Sequence, residues 1–246
     1  MKHPGTEQVL APPTPLRFPV STRALVKLLY LTGWLRGRHR YDDFIVERVH
    51  GVPILVLPSV FNPKRLRTGE FFASQLDVRV IGHHAEVLDM GTGSGVCGVF
   101  AARHARRVVA VDINAAAVRC AAINALLNNV EQRLEVRHGD LFAPVATERF
   151  DLILFNPPFL IDAPRNDRDR AWRSTDVAGR FAAGLGRHLK PGGAALLLLS
   201  TYGDAAAFLG PLLKRGYRIS RVAERTYLGE QLTLYRVIVG DAMGET

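Results

Sequence analysis

The chain has 246 residues, of which 48% are hydrophobic and 22% charged. That mix belongs to a protein with a buried core and excludes a disordered chain, a collagen-like fibre and a coiled coil. Its net charge of +9 favours anionic partners such as RNA but does not specify a fold, and its length suits one α/β domain with an appendage.

The chain opens on a proline-rich arm, Ala11-Pro12-Pro13-Thr14-Pro15. Ser21-Thr22 then caps a predicted amphipathic helix through Arg38, with Leu25, Leu28, Leu29, Thr32 and Leu35 on one face. Residues 1–50 hold eight basic and four acidic side chains and are expected to form an N-terminal appendage. Residues 51–246 are expected to form the main domain. The N-terminus lacks a signal-peptide core, and the apolar stretch Ala24 to Leu35 is too short to span a bilayer and carries Lys27. Two cysteines, Cys97 and Cys120, stand outside any CxxC pair. A cytoplasmic protein with no membrane partner is the expectation.

Short strands are predicted at Phe44–Val49 and Ile54–Leu57, and a helix from Phe71. From Ala85 onward, apolar runs alternate with helical patterns. Strands are predicted at Val87–Met90, Val108–Ile113, Leu134–His138, Leu152–Phe155 and Ala194–Ser200. Helices fall near Val96–His104, Ala115–Asn128, Val177–Leu189 and Ala205–Arg215. This alternation predicts an α/β fold with a mostly parallel sheet. The final pair, Tyr217–Ala223 and Leu232–Val239, lacks a helix between its members and predicts an antiparallel hairpin at the sheet edge.

The strongest local signal is Asp89-Met90-Gly91-Thr92-Gly93-Ser94-Gly95, between a strand end and a helix start. Glycines let a backbone turn tightly and approach a ligand closely. The spacing is GxGxG, unlike the GxGxxG of dinucleotide loops, and the acid two positions earlier would repel a pyrophosphate. A ligand ending in a zwitterionic amino acid suits that acid better. Asp112 ends the next strand, where a carboxylate can accept both ribose hydroxyls. Asp140 ends the one after, where it can accept from an adenine amine. Three acids at successive strand tips read as one nucleoside site.

The strand Leu152–Phe155 runs into Asn156-Pro157-Pro158-Phe159. Two prolines freeze the backbone and remove two donors. The Asn156 side-chain oxygen and the Pro157 carbonyl can then accept both hydrogens of one planar NH2 group, and Phe159 offers a stacking face.

At these residues the segment from about Val52 to Val239 resembles the class I S-adenosylmethionine-dependent methyltransferases. More narrowly it is similar to the amino-methylating branch with an (N/D)PP(Y/F) signature, which includes release-factor glutamine, adenine-N6 and "small domain" guanine-N2 methyltransferases. The resemblance implies a Rossmann-like domain with a seven-stranded sheet. It implies S-adenosylmethionine as cofactor, held by Asp89, Gly91, Thr92, Gly93, Gly95, Asp112, Ile113, Asp140, Leu141 and Asn156. Asp89 would face the methionine ammonium, Asp112 the ribose, and Asp140 with Leu141 the adenine. Phe61 and Thr68 would cover the cofactor. Asn156, Pro157 and Phe159 would be catalytic, and Pro158 and Trp172 would join them in binding the acceptor.

Two features depart from the release-factor enzymes: Phe159 replaces their usual Tyr, and residues 1–50 are shorter than their N-terminal helical domain. The loop from Asp162 to Asp176 holds four Arg and four acids, a balance less one-sided than a nucleic-acid groove. Neither feature excludes the acceptors that the resemblance implies, a translation-protein glutamine amide or an exocyclic amine of an RNA base. A small metabolite is the alternative, and a non-catalytic cofactor-binding scaffold is the alternative of another class. No HExxH, Cys/His metal spacing or GxSxG elbow occurs, so a metal-free transferase is expected.

Overall fold

A computed structural model describes residues 44–65, 67–157, 176–227 and 229–240. The proline-rich arm, the expected helix to Arg38, and Pro158, Phe159 and Trp172 lie outside the described residues. Strands β1 (Ile45–Val49) and β2 (Val52–Val56) form an antiparallel hairpin whose turn holds the expected domain boundary at 50/51. Val49 and Ile54 are fully buried in the main core, so the hairpin packs as part of the larger unit. Helix α1 (Thr68–Ala73) follows.

The main sheet has seven strands in the order β5-β4-β3-β6-β7-β9-β8. They are β3 (Glu86–Met90), β4 (Arg107–Asp112), β5 (Leu134–His138), β6 (Phe150–Phe155), β7 (Leu189–Ser200), β8 (Arg218–Tyr227) and β9 (Glu230–Ile238). Strands β3 to β7 pair in parallel, and β9 joins β7 and β8 antiparallel. Helices α2 (Val96–Ala102), α3 (Ala115–Leu127), α4 (Val177–His188) and α5 (Ala205–Lys214) cover the faces. Alternate strand residues feed two cores. Leu152 and Leu154 join α1, α2 and α3 on one face, while Ile153 and Phe155 join α4 and α5 on the other. Burial on both faces is why the central strands read as unbroken apolar runs.

Several boundaries differ from the sequence reading. Helix α1 begins at Thr68, ahead of Phe71. Strand β7 begins at Leu189 rather than Ala194 and runs through Pro191-Gly192-Gly193. The β6–β7 register shifts between Phe150 and Leu152. A Cβ on Gly193 would sit 3.0 Å from the Phe150 carbonyl oxygen, so glycine there permits an irregularity in the pairing. Strands β8 and β9 are longer than expected and pair up to Tyr227 and Glu230. Beyond Ala223, β8 carries Glu224, Arg225 and Thr226, charge and polarity that suit an exposed edge strand and erase its alternation. Among the described residues no helix is long and apolar enough to cross a membrane.

The chain runs from β3 outward through β4 to β5, then returns to place β6 on the other side of β3. That reversal opens a crevice at the carboxyl ends of β3 and β6, where ligands bind in open α/β sheets.

Candidate functional site

The loop after β3 turns on three left-handed glycines, Gly91, Gly93 and Gly95, with φ of 64°, 58° and 82°. It is stitched to the neighbouring strand tip: Thr92 N–H donates to the Val111 carbonyl at 3.0 Å, and Gly93 N–H to Asp112 Oδ2 at 2.8 Å. Asp112 Oδ1 accepts from Asn114 N–H at 2.8 Å. Burial raises the Asp112 carboxyl above the usual range, against the pull of these backbone donors.

Asp89 is 4% exposed. Its Oδ2 accepts the Thr92 hydroxyl at 2.5 Å and the Gly98 backbone N–H at 2.8 Å, tying β3 to the first turn of α2. Burial pushes its carboxyl up to about 7; the two hydrogen bonds oppose that rise, and the Asp112 charge adds to it. A buried, weakly compensated carboxylate favours a cationic partner.

An open cleft of about 1180 Å3, solvent included, joins these groups. Its lining contains Asp89, Gly91, Thr92, Gly93, Asp112, Ile113, Asp140, Leu141, Asn156 and Pro157. The fold thus brings ten of the sequence-selected residues to one cavity. Gly95 does not line it. Its ideal Cβ would stand 2.8 Å from the Ala121 Cα, so this glycine serves the approach of α2 to α3. Phe61 lines the cleft, while Thr68 is buried behind it beside the lining residues Gly69 and Phe72. Cys97, expected as core packing, also reaches the cleft, and burial raises its thiol well above the usual range.

Asn156 follows β6. Its Oδ1 is buried and has no hydrogen-bond partner among the described residues. Such an atom costs free energy unless something donates to it, and Asn156 lines the same cleft as Asp89, Asp112 and Asp140.

The sequence reading missed several contributors. Asn114 caps α3 by accepting from Ala116 N–H at 2.9 Å, and donates to the Ser59 carbonyl at 3.1 Å, holding the segment that roofs the cleft. An Asn directly before an Ala-rich helix was a readable cap signal. Asn124 is fully buried and donates to the Ser94 carbonyl at 2.8 Å. Arg180 pairs with Asp140 at 2.5 Å. Local sequence carries no signal for either, because both partners lie at least thirty positions away.

Comparison with known proteins follows the same lines. The family model described as "Methyltransferase small domain" matches residues 51–224. The chain is 36% identical over 137 residues to the ribosomal RNA small subunit methyltransferase C of Alcanivorax borkumensis, covering 55% of this chain and 39% of that protein. It is 32% identical over 184 residues to the release factor glutamine methyltransferase of Koribacter versatilis, covering 63% of this chain and 65% of that protein. It therefore spans less than two thirds of either relative. Among solved structures, a 16S rRNA N2 methyltransferase of T. thermophilus, determined with AdoMet and guanosine, superposes with a TM-score of 0.59. At 22% identity, covering 80% of this chain and 50% of that one, it shares the fold.

Proposed function

The chain belongs to the methyltransferase small-domain family, and from that premise we propose that it moves a methyl group from S-adenosylmethionine to the nitrogen of a planar NH2 group on a macromolecule of translation, a glutamine amide or an RNA base. The observation that carries the reading is Asn156, whose Oδ1 is buried without a partner among the described residues and which lines one cleft with Asp89 and Asp112.

The donor set fits the cofactor. Asp89 answers a cationic ammonium, the left-handed glycines let the backbone approach, and the lone pairs Asp112 keeps beyond its two backbone donors suit ribose hydroxyls. When bound, S-adenosylmethionine supplies an electrophilic methyl on a sulfonium. Asn156 Oδ1 and the Pro157 carbonyl accept the two N–H groups of the acceptor. An amide or aromatic amine is a poor nucleophile because its lone pair is delocalised, and these two acceptors return electron density to nitrogen while fixing its direction. Orientation and preorganised dipoles then lower the barrier without a general base before attack. For binding the acceptor we propose Pro158, Phe159 and Trp172 as further contributors, on their residue types alone. Both cysteines are free and buried, which suits the reducing cytoplasm where translation proteins reside.

The test is transfer of labelled methyl from S-adenosylmethionine into a lysate lacking this activity, followed by fractionation. Label removed by protease identifies a protein amide, and label removed by nuclease identifies an RNA base. Label confined to small molecules overturns the macromolecular acceptor. Incorporation no greater than that of Asn156→Ala overturns the transferase reading.

A further inference from the structure

The first turns of α4 close over the end of β5. Arg180 Nη2 donates to Asp140 Oδ2 at 2.5 Å, and Nη1 stands 3.6 Å from Asp176 Oδ2 one turn earlier. The side chains of Arg180 and Asp140 are 45% and 39% exposed, and ion pairs so placed add little to folding stability. What a guanidinium does fix is direction, because its planar fork donates along set lines.

The turn that carries Asp140 is itself tightly held. Leu141 has φ of 48°, a left-handed conformation that a bulky residue keeps only when its surroundings impose it. Helix α4 packs against the residues on either side of it. A Cβ on Gly184 would lie 2.4 Å from the Phe142 ring, so the helix backbone meets that ring directly. Phe142 stacks on Phe181 at 5.8 Å and on His188 at 4.4 Å. Val177, Arg180, Phe181, Gly184 and His188 recur at helical spacing on one face. Val177 lines the cleft, and Arg180 is the charged member of the face that grips residues 140–142.

Oδ2 accepts from Arg180, and among the described residues nothing donates to the other side-chain oxygen of Asp140, a residue that lines the cleft. An ion-paired carboxylate only accepts hydrogen bonds. It suits a base edge that presents an NH2 group and opposes one that presents a carbonyl oxygen. We propose that Arg180 is a positioning residue that aims Asp140 at the base of the nucleoside and makes the cleft select adenine over hypoxanthine. The inference rests on the reading that this cleft holds the adenosine of the cofactor.

The experiment is calorimetric titration of the full chain with S-adenosylhomocysteine and with its deaminated analogue S-inosylhomocysteine. The wild type should bind the adenosyl ligand at least about tenfold more tightly, as expected for a hydrogen bond to a charged acceptor. Arg180→Gln should lose about tenfold in affinity for the adenosyl ligand while hardly changing the inosyl one, so the preference collapses. Arg180→Lys, which keeps the charge but not the fork, should restore part of it. The double variant with Asp140→Asn should be no worse than Asp140→Asn alone. Equal weakening of both ligands in Arg180→Gln would assign the residue a merely structural role and overturn the proposal, and so would an unchanged preference. A wild type that binds neither ligand overturns the adenosine reading of the cleft itself, an outcome distinguished by arising before any substitution.

Discussion

Asn124 on α3 and Leu55 on β2 form a reciprocal pair: Asn124 Nδ2 donates to the Leu55 carbonyl at 2.6 Å, and Leu55 N–H donates to Asn124 Oδ1 at 2.7 Å. The same Nδ2 reaches the Ser94 carbonyl at 2.8 Å. One side chain therefore joins the N-terminal hairpin, the third helix and the glycine loop. Asn124→Leu removes the bonds, strands the Leu55 N–H and the Ser94 carbonyl, and leaves the Leu55 carbonyl to the Cys120 thiol at 3.2 Å. It should lower unfolding free energy by about 2–4 kcal/mol, the scale for orphaning buried partners, and weaken cofactor binding as the loop loosens. Denaturant titration and calorimetry read the two effects.

Asn156 should separate activity from stability. Its buried Oδ1 gains nothing from the folded state among the described residues, so Asn156→Ala should leave the melting temperature unchanged or slightly higher. Methyl transfer should fall by about a hundredfold or more, the scale for removing one positioned group at a reacting centre, with cofactor affinity within about threefold of wild type. Thermal melts, single-turnover transfer and cofactor titration give the three readings.

Asp89 predicts a pH dependence. Its carboxyl titrates near 7 when folded, against an ordinary 3.8, chiefly through burial. The folded chain thus keeps a proton that the unfolded chain has released across that window. Stability of the unliganded protein should fall as pH rises from about 4 to about 7 and level off above. Affinity for a ligand bearing an ammonium should behave oppositely, rising with pH up to about 7 and then flattening, because binding needs the ionised carboxylate. Titration at pH 6 in buffers of different ionisation enthalpy should detect proton release. Asp89→Asn should abolish that release and flatten the slope to the part left by the raised Asp112 carboxyl.

Two glycines of the loop should fail differently. An alanine at Gly95 meets the Ala121 backbone at 2.8 Å and also bears a φ of 82°, so Gly95→Ala should cost about 2–3 kcal/mol through overpacking and strain together. At Gly93 nothing lies within 4 Å of an added Cβ, although φ is 58°. Gly93→Ala should cost only about 1–2 kcal/mol for the left-handed backbone, while its methyl intrudes on the ligand and weakens cofactor binding. Chemical denaturation and binding, measured on both variants, discriminate the two mechanisms.

The glycine loop, the acids at 89, 112 and 140, and the residues following β6 were legible because each depends on local chain geometry. A strand tip followed by left-handed glycines, or by paired prolines, is written in consecutive residues, and the strand–helix alternation places all these tips on one sheet edge. Boundaries were less legible where a glycine pair served an irregular strand pairing at Gly193 and where the edge strand β8 carried charge in place of alternation.

The sequence by itself determined the parallel sheet, the order in which its functional tips arise, and the chemical types of the groups they bear, since hydrophobic period and turn chemistry act over a few residues. Only the tertiary structure decided which of those groups share a cavity. It set Gly95 against Ala121 of α3, joined Arg180 to Asp140 across forty positions, and left the Asn156 oxygen buried without a partner among the described residues. Those outcomes depend on how α2, α3 and α4 pack against the sheet, and packing joins residues that no local pattern relates.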